Sequence, residues 1–176
     1  AVGKASVIIR GKNAYSGKIT KTFTIVKAAK GKTYTVGKFK YTITGAKADG
    51  TGTVAISGTT YTRSDKKFAS LTISDAVVIG GVKFKITSVG ANAFSRYSML
   101  TSVVIGNNVT SIGSNAFVSC KKLKKVTIKS TKLKGVGAKA FSGTYSKVTF
   151  VLPKSKAASY KKLIKNGSTS ANAIYK

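Results

Sequence analysis

The sequence contains no histidine and no glutamate, and its only carboxylate side chains are Asp49, Asp65 and Asp75. General acid-base work near neutral pH uses His most often, or a carboxylate pair with separated pKa values. Each Asp here stands in a turn-like context, Ala-Asp49-Gly, Ser-Asp65-Lys and Ser-Asp75-Ala, where a short acid bonds nearby backbone. A Ser or Cys nucleophile activated by Lys is the formal alternative, but nothing marks one serine among many. Cysteine is nearly absent too: Cys120 alone excludes an intrachain disulfide framework and is too little for a zinc site. One Cys and three scattered Asp are not a coordination set. No catalytic, cofactor-binding or metal residue is therefore assigned, and no cofactor or small-molecule substrate is expected. A signal peptide and an apolar run of membrane-spanning length are missing as well.

What the chain has in excess is positive charge. Lys and Arg number 32 against the three Asp, a net charge of +29, and after Asp75 there are 18 basic residues with no carboxylate. Such self-repulsion costs stability and favours an anionic environment: wall polymers, acidic polysaccharide, anionic lipid or nucleic acid. A plain solvated surface is the competing reading. The densest run, Lys121-Lys-Leu-Lys-Lys125, reads mostly as a solvated rim around an inward Leu123. Eight Tyr and eight Phe accompany the charge, but the regularly recurring Phe are core positions. Few stacking platforms remain for bases, so nucleic acid ranks last.

At 176 residues, 42% of them hydrophobic, the chain fits one ordinary domain, alone or with a fragment of another. It opens on Ala1-Val2-Gly3-Lys4 directly in a strand-like pattern, as a piece of something longer would. Internal repetition is plain. Ile86-Thr-Ser-Val-Gly-Ala-Asn-Ala-Phe94 recurs as Val109-Thr-Ser-Ile-Gly-Ser-Asn-Ala-Phe117 and as Leu133-Lys-Gly-Val-Gly-Ala-Lys-Ala-Phe141. The phenylalanines are thus 23 and 24 residues apart. Between them lies a second signature, Leu100-x-x-Val103-x-Ile105 and Leu123-x-x-Val126-x-Ile128, preceded by Phe68-x-x-Leu71-x-Ile73 and followed by a degenerate copy from Lys147 to Leu152. Each copy is one coil of a solenoid: a short strand with alternate residues inward, a turn at Gly, then a brief helical turn at Asn-Ala-Phe. No coil buries its own apolar edge, so coils must stack and four strands form a parallel ladder. Gly135-Val-Gly137-Ala-Lys-Ala140 mimics a dinucleotide fingerprint but lacks the long strand, the helix and the later acid that would support it.

These residues resemble the BspA-like leucine-rich repeat family, and Val109 to Ile128 fits its whole pattern, Cys120 included; the resemblance runs from Phe68 to Lys176. It departs at Ser98, where Cys would stand, and at Tyr145-Ser146. The resemblance implies a secreted or cell-surface bacterial protein, of a family associated with adherence to host or microbial surfaces. Upstream, the Ala5 to Gly17 pattern resembles the last hairpin of a bacterial immunoglobulin-like repeat, with Val7 and Ile9 on one strand and Phe23 and Ile25 on the other.

The expected fold is mainly β: a short leucine-rich-repeat solenoid with a parallel strand ladder, an N-terminal β-hairpin cap and a C-terminal helical cap. Residues 1–27 form the truncated immunoglobulin-like hairpin, 28–67 the linker and hairpin cap, 68–153 the coils and 154–176 the helical cap. In the cap region, Thr33 to Thr44 alternates as one strand, and Gly45 to Gly52 turns it into Thr53 to Ser57. Ser155 to Lys165 carries an apolar helical stripe of Ala157, Tyr160, Leu163 and Ile164, stopped at Asn166-Gly167. Cys120 takes an inward position as a small apolar side chain, or is a reactive thiol beside Lys121 and Lys122. With Val103, Ile105, Val126 and Ile128 inward, the outward face of the ladder presents Ser70, Thr72, Ser102, Val104, Lys125, Thr127, Lys129, Thr149 and Val151. That face is the candidate ligand surface. Partners in view are a host or microbial surface protein or glycan, or an anionic wall polymer outside a Gram-positive cell.

Overall fold

The structure, a computed structural model, describes the backbone of residues 3–10, 18–25, 29–47, 51–167 and 169–176, and the side chains from residue 29 onward. Asp49, the loop from Gly11 to Gly17 and Ala28, the first residue of the expected linker, lie outside the described residues. Strands β1 (Gly3–Arg10) and β2 (Lys18–Ile25) pair antiparallel, Gly3 opposite Ile25 and Arg10 opposite Lys18, as a two-stranded sheet of their own.

From β3 (Thr33–Val36) onward the chain builds a solenoid. The Leu-x-x-Val-x-Ile signatures become β6 (Ser70–Ile73), β9 (Ser102–Ile105) and β11 (Lys125–Ile128), followed by β13 (Thr149–Val151), all parallel. Here the first ladder exceeds expectation: a fifth strand, β14 (Ile174–Tyr175), pairs parallel with β13. Alternation sends Leu71, Val103, Val126 and Phe150 inward at one level and Ile73, Ile105 and Ile128 at the next, each at most 2% exposed.

A second parallel ladder was not anticipated from the residues. The segments before each Gly, Thr-Ser-Val, Thr-Ser-Ile and Lys-Gly-Val, contain strands: the end of β8 (Val82–Val89), then β10 (Ser111–Ile112) and β12 (Gly135–Val136). These stretches are only two residues long in the later coils, too short for period-two alternation to show. Beside β8 the ladder continues into β5 (Gly52–Thr59), β4 (Phe39–Ala46) and β3, with β7 (Ala76–Ile79) folding back on β8. The expected single strand over 33–44 is therefore two, broken at Gly37, whose φ of 58° belongs to the left-handed region that glycine enters freely. The N-terminal cap is a three-stranded meander hydrogen-bonded into the second ladder rather than a lid laid across it.

The Asn-Ala-Phe stretches are turns, not helical turns. Asn92, Asn115 and Lys139 all take φ near +57°, as do Arg96 and Ser119 near +60°, with Gly143 at 67° in the matching place of the next coil. Alternate amides bond to the following coil: Asn92 N to Ser114 O, Phe94 N to Ala116 O, Arg96 N to Val118 O, then Asn115 N to Ala138 O, Phe117 N to Ala140 O and Ser119 N to Ser142 O, at 2.7–3.0 Å, while the amides between them, such as Ala93 N to Gly90 O and Ser95 N to Asn92 O, close longer bonds of 3.2–3.3 Å within their own coil. Coils approach too closely for a side chain at the preceding glycine. A Cβ on Gly113 would sit 2.5 Å from Ala91 N.

Inside, Phe94, Phe117 and Phe141 stack at 5.5 and 5.4 Å with interplanar angles of 11° and 7°. Phe68 extends the column towards Tyr61 and Phe39 at one end, and Phe150 and Tyr175 extend it at the other. The register read from the 23- and 24-residue spacing is thus the register of the core. At the C-terminal end, a short 3-10 helix (Lys154–Lys156) leads into α1 (Ala157–Asn166), which buries Tyr160 and Ile164 against β12. Tyr160 Oη accepts the Leu133 amide at 2.8 Å, so the cap satisfies a backbone donor the last coil leaves open. α1 closes the second ladder; the first ends on β14.

Candidate ligand surface

Register aligns the outward side chains of the first ladder into two rows. Ser70, Ser102, Lys125, Thr149 and Ile174 occupy one, and Thr72, Val104, Thr127 and Val151 the other. Five strands about 4.8 Å apart make this a face roughly 19 Å across. Ser70, Thr72 and Lys125 are exposed, while Ser102, Val104, Thr127, Thr149 and Val151 are half-buried by their neighbours. Ile174, 42% exposed, adds an apolar end that the sequence list lacked.

Lys129 lies one residue beyond β11, at the corner where the coils leave the first ladder. There it faces Asp75 across a depression of about 170 Å³ shared with Thr72, Val104 and Asn107. Asp75 is not closing its own turn, as its sequence context suggests. Its carboxylate accepts from the Asn107 amide nitrogen at 2.6 Å and from Asn107 Nδ2 at 3.0 Å, and its carbonyl accepts from Asn108 Nδ2 at 3.1 Å. These bonds, side chain first, hold the carboxyl below its ordinary pKa, and Lys129 adds to the effect. The acid pins one coil to the next. Asp65 follows the sequence reading, accepting the Lys67 amide two residues on at 2.9 Å.

Of the two readings for Cys120, the geometry favours the inert one. The side chain is fully buried, its Sγ donates to Phe94 O at 3.0 Å, and burial pushes the thiol up to about 11, away from the reactive thiolate. Lys121, Lys122 and Lys124 are exposed around buried Leu123, forming the rim the sequence describes. Among the described residues no three His, Cys, Asp or Glu side chains gather for a metal. No helix among them is long and apolar enough to cross a membrane.

A family model for the BspA type leucine rich repeat region matches residues 57–171 in six copies. The chain belongs to the BspA-type leucine-rich repeat family. Solved structures agree at the level of fold. A leucine rich cell surface protein from Faecalibacterium prausnitzii is 24% identical with a TM-score of 0.53, the alignment covering 82% of this chain and 43% of that one. A leucine-rich repeat protein from Bacteroides capillosus is 21% identical with a TM-score of 0.57, covering 82% of this chain and 98% of that one. This BspA-type chain therefore spans less than half the length of the first of these structures. No curated protein sequence matches it. The match begins at Ser57, inside β5, so the end of the last strand of the N-terminal meander falls within the matched region.

Sequence reasoning passed over the side chains on the turns. Asn92, Asn115, Arg96 and Ser119 point away from the core on left-handed backbone, and only the two Asn advertise it, since Asn tolerates that conformation better than most residues.

Proposed function

We propose that this chain is a non-catalytic module on the exterior of a bacterium, Gram-positive in type, and that it binds a protein or glycan of a host or microbial surface through the outward face of the first ladder. The observation that carries the reading is the in-register pair of rows, hydroxyl-rich and β-branched with Lys125 near the middle. Hydroxyls and an ammonium held at strand spacing on stiff backbone can hydrogen-bond sugars or dock an extended peptide. Family membership and the likeness in fold to a cell surface protein support the location. The hairpin of β1 and β2 is read as the end of a preceding immunoglobulin-like repeat that spaces this module from its attachment.

The experiment is binding to host-matrix proteins and a glycan array, with Lys125, Thr127 and Lys129 changed together to Ala against a rim triple at Lys121, Lys122 and Lys124. Loss confined to the first variant supports the ladder face; equal loss in both sinks it. The +29 charge favours a second reading, attachment to anionic wall polymers. In that case affinity falls steeply between about 50 and about 300 mM salt, because each contacted anion releases counterions. Binding to walls stripped of teichoic acid would then vanish, whereas a located protein or glycan site would be indifferent to it. Nucleic acid keeps last place.

A further inference from the structure

We propose that a groove on the turn side of the solenoid is a site for a carboxylated sugar, a uronic or sialic acid residue. The groove, about 450 Å³, is lined by Arg63, Asn92, Ser95, Arg96, Asn115 and Ser119. It is separate from the first-ladder face and does not rest on that reading.

Arginine is what sets it apart. Of the 32 basic residues only Arg10, Arg63 and Arg96 are arginine. Two of these three meet in one groove although 33 positions separate them. The meeting is built: Arg63 O accepts from Ser98 N at 2.9 Å and Ser98 Oγ at 3.2 Å, and Arg63 Nε donates to Ser95 O at 3.3 Å. One guanidinium donor is used to hold the side chain, and the others stay available. Among the described residues neither guanidinium has a carboxylate partner, and the Arg96 head group makes no hydrogen bond.

Arg96 is also not the residue its backbone asks for. Its φ is 64°, and the matching position two coils on is Gly143. Lysine would serve solubility at both places, as it does over the rest of the surface. What lysine cannot supply is a planar fork of donors, which matches a planar carboxylate with two parallel bonds. Around the forks stand the amides of Asn92 and Asn115, one coil apart, and the hydroxyls of Ser95 and Ser119. Donors and acceptors on the same small groups are what a ring of vicinal hydroxyls requires. The volume suits a single sugar residue and lies in the range of small-molecule sites.

The test is titration of the intact chain with sodium glucuronate and with N-acetylneuraminate, against glucose and inorganic phosphate, at a fixed ionic strength of about 0.15 M. Binding is read by NMR shifts of the Arg Nε and Asn side-chain signals. Both sugar acids should shift Arg63, Arg96, Asn92 and Asn115, while glucose should not. Arg63→Lys and Arg96→Lys, which keep the charge, should each weaken binding at least about tenfold. Arg96→Gly, which adopts the residue found at 143, should abolish binding while leaving the melting temperature unchanged or higher; it decides the matter should Arg63→Lys fail to fold. The rim triple at Lys121, Lys122 and Lys124 should bind as the parent does. Lysine variants that bind as tightly as the parent would overturn the site. Phosphate displacing glucuronate at equal concentration would overturn the carboxylate assignment, and so would glucose binding with equal affinity.

Discussion

Along the outward row of the first ladder successive coils carry Ser70, Ser102, Lys125, Thr149 and Ile174, whereas along the turn row they carry Asn92, Asn115 and Lys139. Both rows recur once per coil, but different forces filter them. On the ladder a residue need only fit an extended, half-buried pleat, so hydroxyl, ammonium and aliphatic side chains interchange. On the turn the backbone holds a left-handed conformation that costs an ordinary L-residue about 1–2 kcal/mol. What the turn tolerates is set by φ, and what the ladder tolerates is set by neighbours.

Both rows hang on the same aromatic column, so the largest effect should remove both at once. Phe117, fully buried between Phe94 and Phe141, is expected to cost roughly 3–5 kcal/mol when changed to Ala. Urea unfolding measures it, and an unchanged midpoint would mean that the coils are not in register. Next comes Cys120. Its thiol is raised by burial from 9.0 to about 11, so the folded state holds the proton more tightly than the unfolded chain does. That advantage is complete below about pH 9 and lost as pH rises through about 11, a change of about 2–3 kcal/mol. Lysine titration acts on wild type and Cys120→Ala alike, so the stability gap between them should narrow over that window. A gap constant with pH would deny the thiol its buried setting. The smallest effects have opposite signs on the two rows. Lys139→Gly should stabilise by about 0.5–1 kcal/mol by relieving the left-handed backbone, while Lys125→Gly should destabilise by about as much in its strand. Equal signs would erase the distinction between the rows.

The inward positions were legible because burial imposes a period. Leu100, Val103 and Ile105 repeat as Leu123, Val126 and Ile128, and the Phe spacing gave the stack its register. The outward ladder residues followed from the same alternation. What stayed hidden lacked a period long enough to read: two-residue strands such as Ser111–Ile112, and β14, whose two residues pair only because the chain returns after α1. Gly37 was readable as a break in principle, since the alternation changes phase there, from Tyr34 and Val36 to Phe39, Tyr41 and Ile43; the single strand was read from the second set alone. The Arg63 and Arg96 groove was out of reach for a different reason. Its two halves meet through bonds to Ser95 and Ser98, and nothing local announces a contact across 33 residues.

The hydrogen bonds that tie each turn to the next coil also bear on how the molecule assembles. From Ser102 to Thr149 the coils of the first ladder pair at separations of 23 and 24 residues, and Ser70 pairs with Ser102 across 32; the cost grows only with the logarithm of loop length, so closing each new loop costs about the same, roughly 3 kcal/mol of chain entropy. Once two coils have docked, a third finds a finished template of carbonyls, amides and a ring face, and it adds at that one fixed cost. Folding of such a chain spreads from any pair outward, in near-equal steps of one coil each, and the speed of the whole is set by the first step.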